Sequence, residues 1–183
     1  VDAYYYLMAQ LPGIVPGQPL QITYADFSER AARFLSETDL AILGQIATVP
    51  SPDPCVTGST VFDGFYGREK AMLFSLERIR AARLGRDYAF SAYAEDVIAA
   101  YPEATRVALL AADMDDPLEA ERLLDRARLG FIDDLSAGHF FDAEAVFAYG
   151  IKVLILEREG HFKEDEGRAS YTAIYNQILG EYA

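Results

Sequence analysis

The chain is poor in cysteine, histidine and basic residues, and each shortage removes a class of function. Of 183 residues only Cys55 is cysteine. One thiol permits neither an internal disulfide framework nor a cysteine-based zinc site, and it fits a reducing cytoplasm. His139 and His161 are the only histidines. Lys and Arg total 16 against 29 Asp and Glu, a formal net charge of −13. That balance disfavours general binding to nucleic acid or anionic lipid. No apolar run approaches the roughly 18 residues of a spanning helix. The opening VDAYYYLMAQLPGIVPGQPL lacks a basic n-region, carries Asp2 and breaks at Pro12, so it reads as neither signal peptide nor anchor. What remains is an ordinary folding composition, 51% hydrophobic and 25% charged. Its length suits one domain or two small ones.

Helical periodicity dominates. Tyr4, Leu7, Met8 and Leu11 fall at i, i+3, i+4 and i+7, one helix face, although tyrosine also favours strands. On a helix, three consecutive tyrosines cannot all point inward. Tyr4 is therefore expected in the core, and at least one of Tyr5 and Tyr6 at the surface; a fully exposed aromatic strip would instead mark a partner site. After a Pro/Gly-rich connection, Thr23 with Asp26 and Ser36 with Asp39 read as N-caps of two short helices. Phe27, Ala31, Phe34 and Leu35 carry the first stripe, and Leu40, Leu43 and Ile46 the second.

Pro50, Pro52 and Pro54 mark residues 48–64 as a long loop, and a helix is expected from about Tyr66 to Leu84, stopped at Gly85. Its stripe is Met72, Leu76, Ile79 and Ala82. An alanine-rich helix ends at Pro102, and a short one covers 103–114. Asp116-Pro117-Leu118-Glu119 is the clearest start signal, with Asp at the N-cap, Pro at N1 and Glu at N3. Leu124, Ala127, Phe131 and Leu135 carry that helix towards Gly138. Asp142 caps the next, which is apolar on nearly every side from Val146 to Leu156 and is expected to end at Gly160. A last helix is expected at 165–180. The fold class is all-α, an irregular bundle of about eight helices. It comprises an N-terminal helical segment at 1–47, a mobile proline-rich loop at 48–64 and a main bundle at 65–183, with one compact domain expected overall.

Chemistry-bearing groups are sparse. Asp133, Asp134, His139 and Asp142 invite a metal site or a carboxylate-based hydrolase, but the spacing matches no ligand motif and suits a helix–turn–helix junction better. Cys55 has no histidine near it in sequence, and no glycine pattern forms a phosphate-binding fingerprint. No catalytic, cofactor-binding or metal-ligating residue is therefore assigned. Two charged helix faces stand out. One carries Arg68, Glu69, Glu77, Arg78, Arg80 and Arg83; the other carries Glu119, Glu121, Arg122, Asp125, Arg126 and Arg128. They are either solvated ladders, worth about 0.2–0.5 kcal/mol per pair, or groups that pair across a helix seam or face a partner. Arg78, Arg80, Arg83, Glu121, Arg122, Asp125 and Arg126 form this candidate cluster. Seam pairing requires that reversing Arg78 and a partner acid together rescue either single reversal.

The string DPLEAERLLDRARLGFIDDLSAGHFFDAEAVFAYGIKVLILERE resembles the C-terminal part of a bacterial family encoded among V-type ATPase genes. YYYLMAQLPGI, YADF, LSETDLAIL and FYGREKAMLFSLERIRAARLG resemble the same family; the loop at 48–64 lies outside the resemblance. That family in turn resembles a reduced form of the rotor-cap subunit of V-type ATPases. The resemblance implies a helical, non-catalytic component without cofactors. Its partners would be the rotor ring and central shaft, at the cytoplasmic face of the membrane and without insertion into it. An assembly factor or helical adaptor for the same complex is the alternative. The chain is about half as long as a full rotor-cap protein and lacks an evident threefold repeat.

Overall fold

Eight helices account for the regular structure in the computed structural model, which describes residues 3–15, 18–86 and 89–161. They are α1 (Ala3–Gln10), α2 (Tyr24–Ala31), α3 (Glu37–Leu43), α4 (Thr60–Arg83), α5 (Ala92–Ala100), α6 (Pro102–Ala112), α7 (Pro117–Leu135) and α8 (Ala143–His161). No strand occurs among the described residues, and the all-α expectation holds. The helix expected at 165–180 lies outside the described residues.

The caps are local chemistry. Thr23 Oγ1 accepts from the Asp26 N–H, and Ser36 Oγ from the Asp39 N–H, at 3.1 Å each. Asp116 Oδ1 accepts from the Leu118 N–H at 2.8 Å, and Pro117 opens α7. Each cap removes an orphan donor at a helix start. Gly85, at φ +63°, ends α4: its N–H donates to Ala82 O and that of Arg86 to Ala81 O. This paired termination needs a left-handed residue, which glycine supplies without a Cβ penalty.

Several boundaries and faces differ from the sequence expectation. Helix α4 begins at Thr60 rather than near Tyr66, because Ser59 caps it by accepting from Phe62 N–H at 3.0 Å. Gly64, just ahead of the expected start, masked these turns, since glycine weakens helix propensity. Gly64 and Gly67 both fit where a side chain would collide: a Cβ at Gly67 would come within 2.4 Å of the Tyr101 hydroxyl. Helix α8 continues through Gly160 to His161. On α4, Met72 and Leu76 are buried, whereas Ala82 is exposed. On α3 the buried pair is Ile42 and Leu43, with Leu40 turned outward. On α7 the buried positions are Leu124, Asp125, Arg128 and Ile132, while Ala127, Phe131 and Leu135 are half-buried.

Packing forms two apolar cores. The first gathers Leu7, Phe27, Ala31, Leu43, Val61, Phe65, Ile132, Phe147 and Ile151 from α1–α4, α7 and α8. Tyr4, Met8 and Leu11 pack partly buried against it, and Leu7 is fully buried. The second gathers Ala71, Met72, Leu76, Val97, Ala104, Ala108 and Leu124 from α4–α7. Helices α4 and α7 serve both, the N-terminal half of one running beside the C-terminal half of the other. Tyr5 and Tyr6 are both exposed.

Candidate functional site

Where the two cores meet, α4, α7 and α8 bring charged side chains together in the interior. Arg128 on α7 is 5% exposed and lies between two carboxylates. Its Nε and Nη2 donate to the two oxygens of Glu69 on α4, both at 2.8 Å, and Nη1 donates to Asp125 Oδ1 at 2.8 Å. Arg158 on α8 donates to the same Asp125 oxygen. Glu121 stands at the rim, 3.7 Å from Arg128 and 3.9 Å from Arg158. Two arginines thus neutralise Glu69 and Asp125, with Glu121 adding negative charge at the solvent edge.

The pairing sets the protonation state. Burial alone would favour loss of the Arg128 proton. The hydrogen bonds and negative charge of Glu69, then of Asp125, more than offset this and raise its pKa above the usual arginine range. The forked contact to Glu69 also fixes direction, since a planar guanidinium meets a carboxylate edge to edge. A buried pair of this kind need not add net stability, but separating its partners is costly. Its position, between Leu124 and Ile132 on α7 and between Phe65 and Met72 on α4, aligns the two helices along their length.

A cavity of about 20 Å³ adjoins the cluster, bordered by Thr48, Tyr66, Glu69, Arg128, Ile155 and Arg158. That is room for about one water, far below the roughly 300 Å³ or more of a small-molecule site. Arg158 Nε is buried beside it without an acceptor among the described residues. Tyr66 closes one wall: its hydroxyl donates to Ala47 O at 2.9 Å and accepts from Ala47 N–H at 2.8 Å. Burial pushes the Tyr66 pKa well above the usual phenol range, partly countered by the Ala47 hydrogen bond. A broader groove of about 800 Å³ lies between residues 12–15 and 18–23 and the end of α8; Tyr149 Oη donates to Pro12 O at 2.8 Å on its wall.

The seven residues of the candidate charge cluster separate. Asp125 and Glu121 belong to the buried network. Arg78 pairs with Glu95 on α5 at 2.5 Å and lies over the Phe90 ring, so its partner is not on α7. Arg83 pairs with Asp113 beyond α6 at 3.0 Å. Arg122 pairs with Glu119 within α7 at 2.6 Å, and Arg126 Nε donates to Arg122 O at 3.2 Å. Arg80 is exposed. Glu69, Arg128 and Arg158 are the members that the sequence-derived cluster missed. The signal was present: Glu69 and Arg128 interrupt apolar faces at helical spacing, which marks charge directed inward.

The Asp133/Asp134/His139 group does not converge. Asp133 pairs with Lys152 at 2.5 Å, and His139 Nδ1 contacts Asp142 Oδ2 at 2.6 Å. Asp142 Oδ1 accepts from the Ala145 N–H at 3.0 Å and caps α8. Among the described residues, no three His, Cys, Asp or Glu side chains are placed to hold a metal ion. No described helix is long and apolar enough to cross a membrane. Comparison with family models, curated proteins and solved structures finds no match.

Proposed function

We propose that this chain is a non-catalytic, peripheral central-stalk or rotor component of a bacterial V-type ATPase, working at the cytoplasmic side of the membrane rotor. The observation that carries the reading is the resemblance running from YYYLMAQLPGI through FYGREKAMLFSLERIRAARLG to DPLEAERLLDRARLG and AEAVFAYGIKVLILERE. An all-helical body supports it, because a torque-bearing part needs elements that resist sliding. Here α4 and α7 are joined by a buried forked ion pair that would have to break before those helices could shift register. A net charge of −13 favours contact through protein over contact with anionic lipid.

The test is purification of the ATPase from native membranes in mild detergent, with this chain quantified against the catalytic subunits. A fixed ratio that survives gel filtration is the expected result. Recovery only with incompletely assembled complexes would assign the assembly-factor role instead, and absence from every ATPase fraction would refute both.

A further inference from the structure

Four aromatic rings form a continuous exposed strip where α1 meets the turn between α7 and α8. Tyr5 and Tyr6 are 50% and 66% exposed; Phe140 and Phe141 are 68% and 48% exposed. Ring centroids lie 5.8 Å apart for Tyr5–Tyr6, 4.9 Å for Tyr5–Phe141 and 6.5 Å for Phe140–Phe141. Single exposed aromatics are ordinary, but four neighbouring rings from two distant parts of the chain make a patch. Aromatic side chains supply large contact area with little conformational freedom to lose, and they dominate interface hot spots.

The surroundings select the occupant. Tyr4, next to Tyr5, donates to Asp39 on α3, whose first turn also carries Glu37. Asp142 follows Phe141 directly, and Asp133 and Asp134 lie in the last turn of α7. Among the described residues, Lys152 pairs with Asp133 and His139 with Asp142. The last turn of α7 contains no basic residue, so Asp133 and Asp134 add negative charge at the negative end of the helix dipole. A cation from outside would relieve that repulsion. A second copy would bring the same carboxylates together, and an anionic bilayer would meet them with like charge.

We infer that the Tyr5–Tyr6–Phe140–Phe141 strip docks a segment of a partner protein that presents apolar side chains flanked by Lys or Arg. The rings take the apolar anchors, while Asp134, Asp142 and the α3 acids fix orientation by charge.

A labelled amphipathic peptide of about 14 residues, built of Leu and Lys, probes this surface by fluorescence anisotropy against the full chain. A Leu/Glu peptide is the charge control. The wild type should bind the Leu/Lys peptide and not the Leu/Glu one. Tyr6→Ser/Phe140→Ser should weaken binding by about ten-fold or more and Asp134→Lys by several-fold. Both variants should keep the wild-type melting temperature because the altered side chains are exposed; Phe140→Gln alone serves if the double variant does not fold. Equal binding by wild type and aromatic variants, equal binding of the two peptides, or no binding by the wild type would overturn the inference. So would self-association in sedimentation, or binding to phosphatidylethanolamine–phosphatidylglycerol vesicles, that the aromatic variant abolishes.

Discussion

Replacing Arg128 with Met removes the cation but keeps much of the side-chain volume. Glu69 then loses both of its 2.8 Å donors, and Asp125 keeps only Arg158. Glu69 is 3% exposed, and the adjoining cavity has room for about one water, too little to replace both lost donors. Stranding one partner of a buried ion pair costs about 3–5 kcal/mol. For a chain of this size that lowers the melting temperature by about 10 °C. The companion variant Glu69→Leu/Arg128→Met removes both charges and leaves Asp125 paired with Arg158. It should recover much of the loss, because the two sites are in direct contact and couple by about 1–3 kcal/mol. Urea unfolding followed by circular dichroism measures all four corners of the cycle. Raising NaCl to about 0.5 M should change the coupling little, since buried pairs escape most screening. If the two single losses simply add, or if Arg128→Met is neutral, the buried pair does not hold the seam.

Other perturbations follow from named contacts. Glu144→Ala leaves the Val61 N–H and Ser59 hydroxyl without their shared acceptor, and chemical denaturation should report a loss of about 1–3 kcal/mol. Gly150→Ala puts a Cβ within 2.6 Å of the fully buried Phe27 ring; it should cost about 1–3 kcal/mol, partly restored by adding Phe27→Leu. Burial opposes ionisation of Asp142, but the His139 hydrogen bond, the Ala145 N–H and the His139 charge together hold its carboxyl below the usual range. Its folded pKa is depressed, so its stabilisation is present above the unfolded carboxylate value and fades as pH falls through the folded value. Stability measured across that acid range should lose part of its slope in His139→Gln; an unchanged slope would show that His139 does not set the Asp142 pKa.

Local signals were legible where chemistry is local. Asp116-Pro117, Ser36 with Asp39 and Gly85 each act within a few residues, and the helix ends they imply are present. The start of α4 was not legible, because Gly64 is set by a neighbour distant in sequence: a Cβ there would strike Leu135. The charged seam was half legible. Asp125 with Arg128 follows from their i, i+3 spacing, but Glu69 lies 59 residues from Arg128, and that pairing depends on how α4 and α7 cross. Arg78 shares the charged face of Glu69 in sequence, yet its partner comes from α5. Exposure of both Tyr5 and Tyr6 depends on α1 packing through Leu7, a choice that helix geometry narrows and tertiary contacts complete.

The two apolar cores share α4 and α7, and the boundary between them is ionic. Local opening therefore has an uneven cost. Fraying α5 and α6 away from Met72 and Leu76 leaves the Glu69–Arg128 fork closed. Pulling α7 from α4 must open that fork and expose both cores at once. Amide exchange should accordingly proceed in two tiers, with α5 and α6 releasing protons through sub-global openings and the middle turns of α4 and α7 only on global unfolding. The ion pair would then act as a threshold, letting one flank breathe while the spine keeps its alignment.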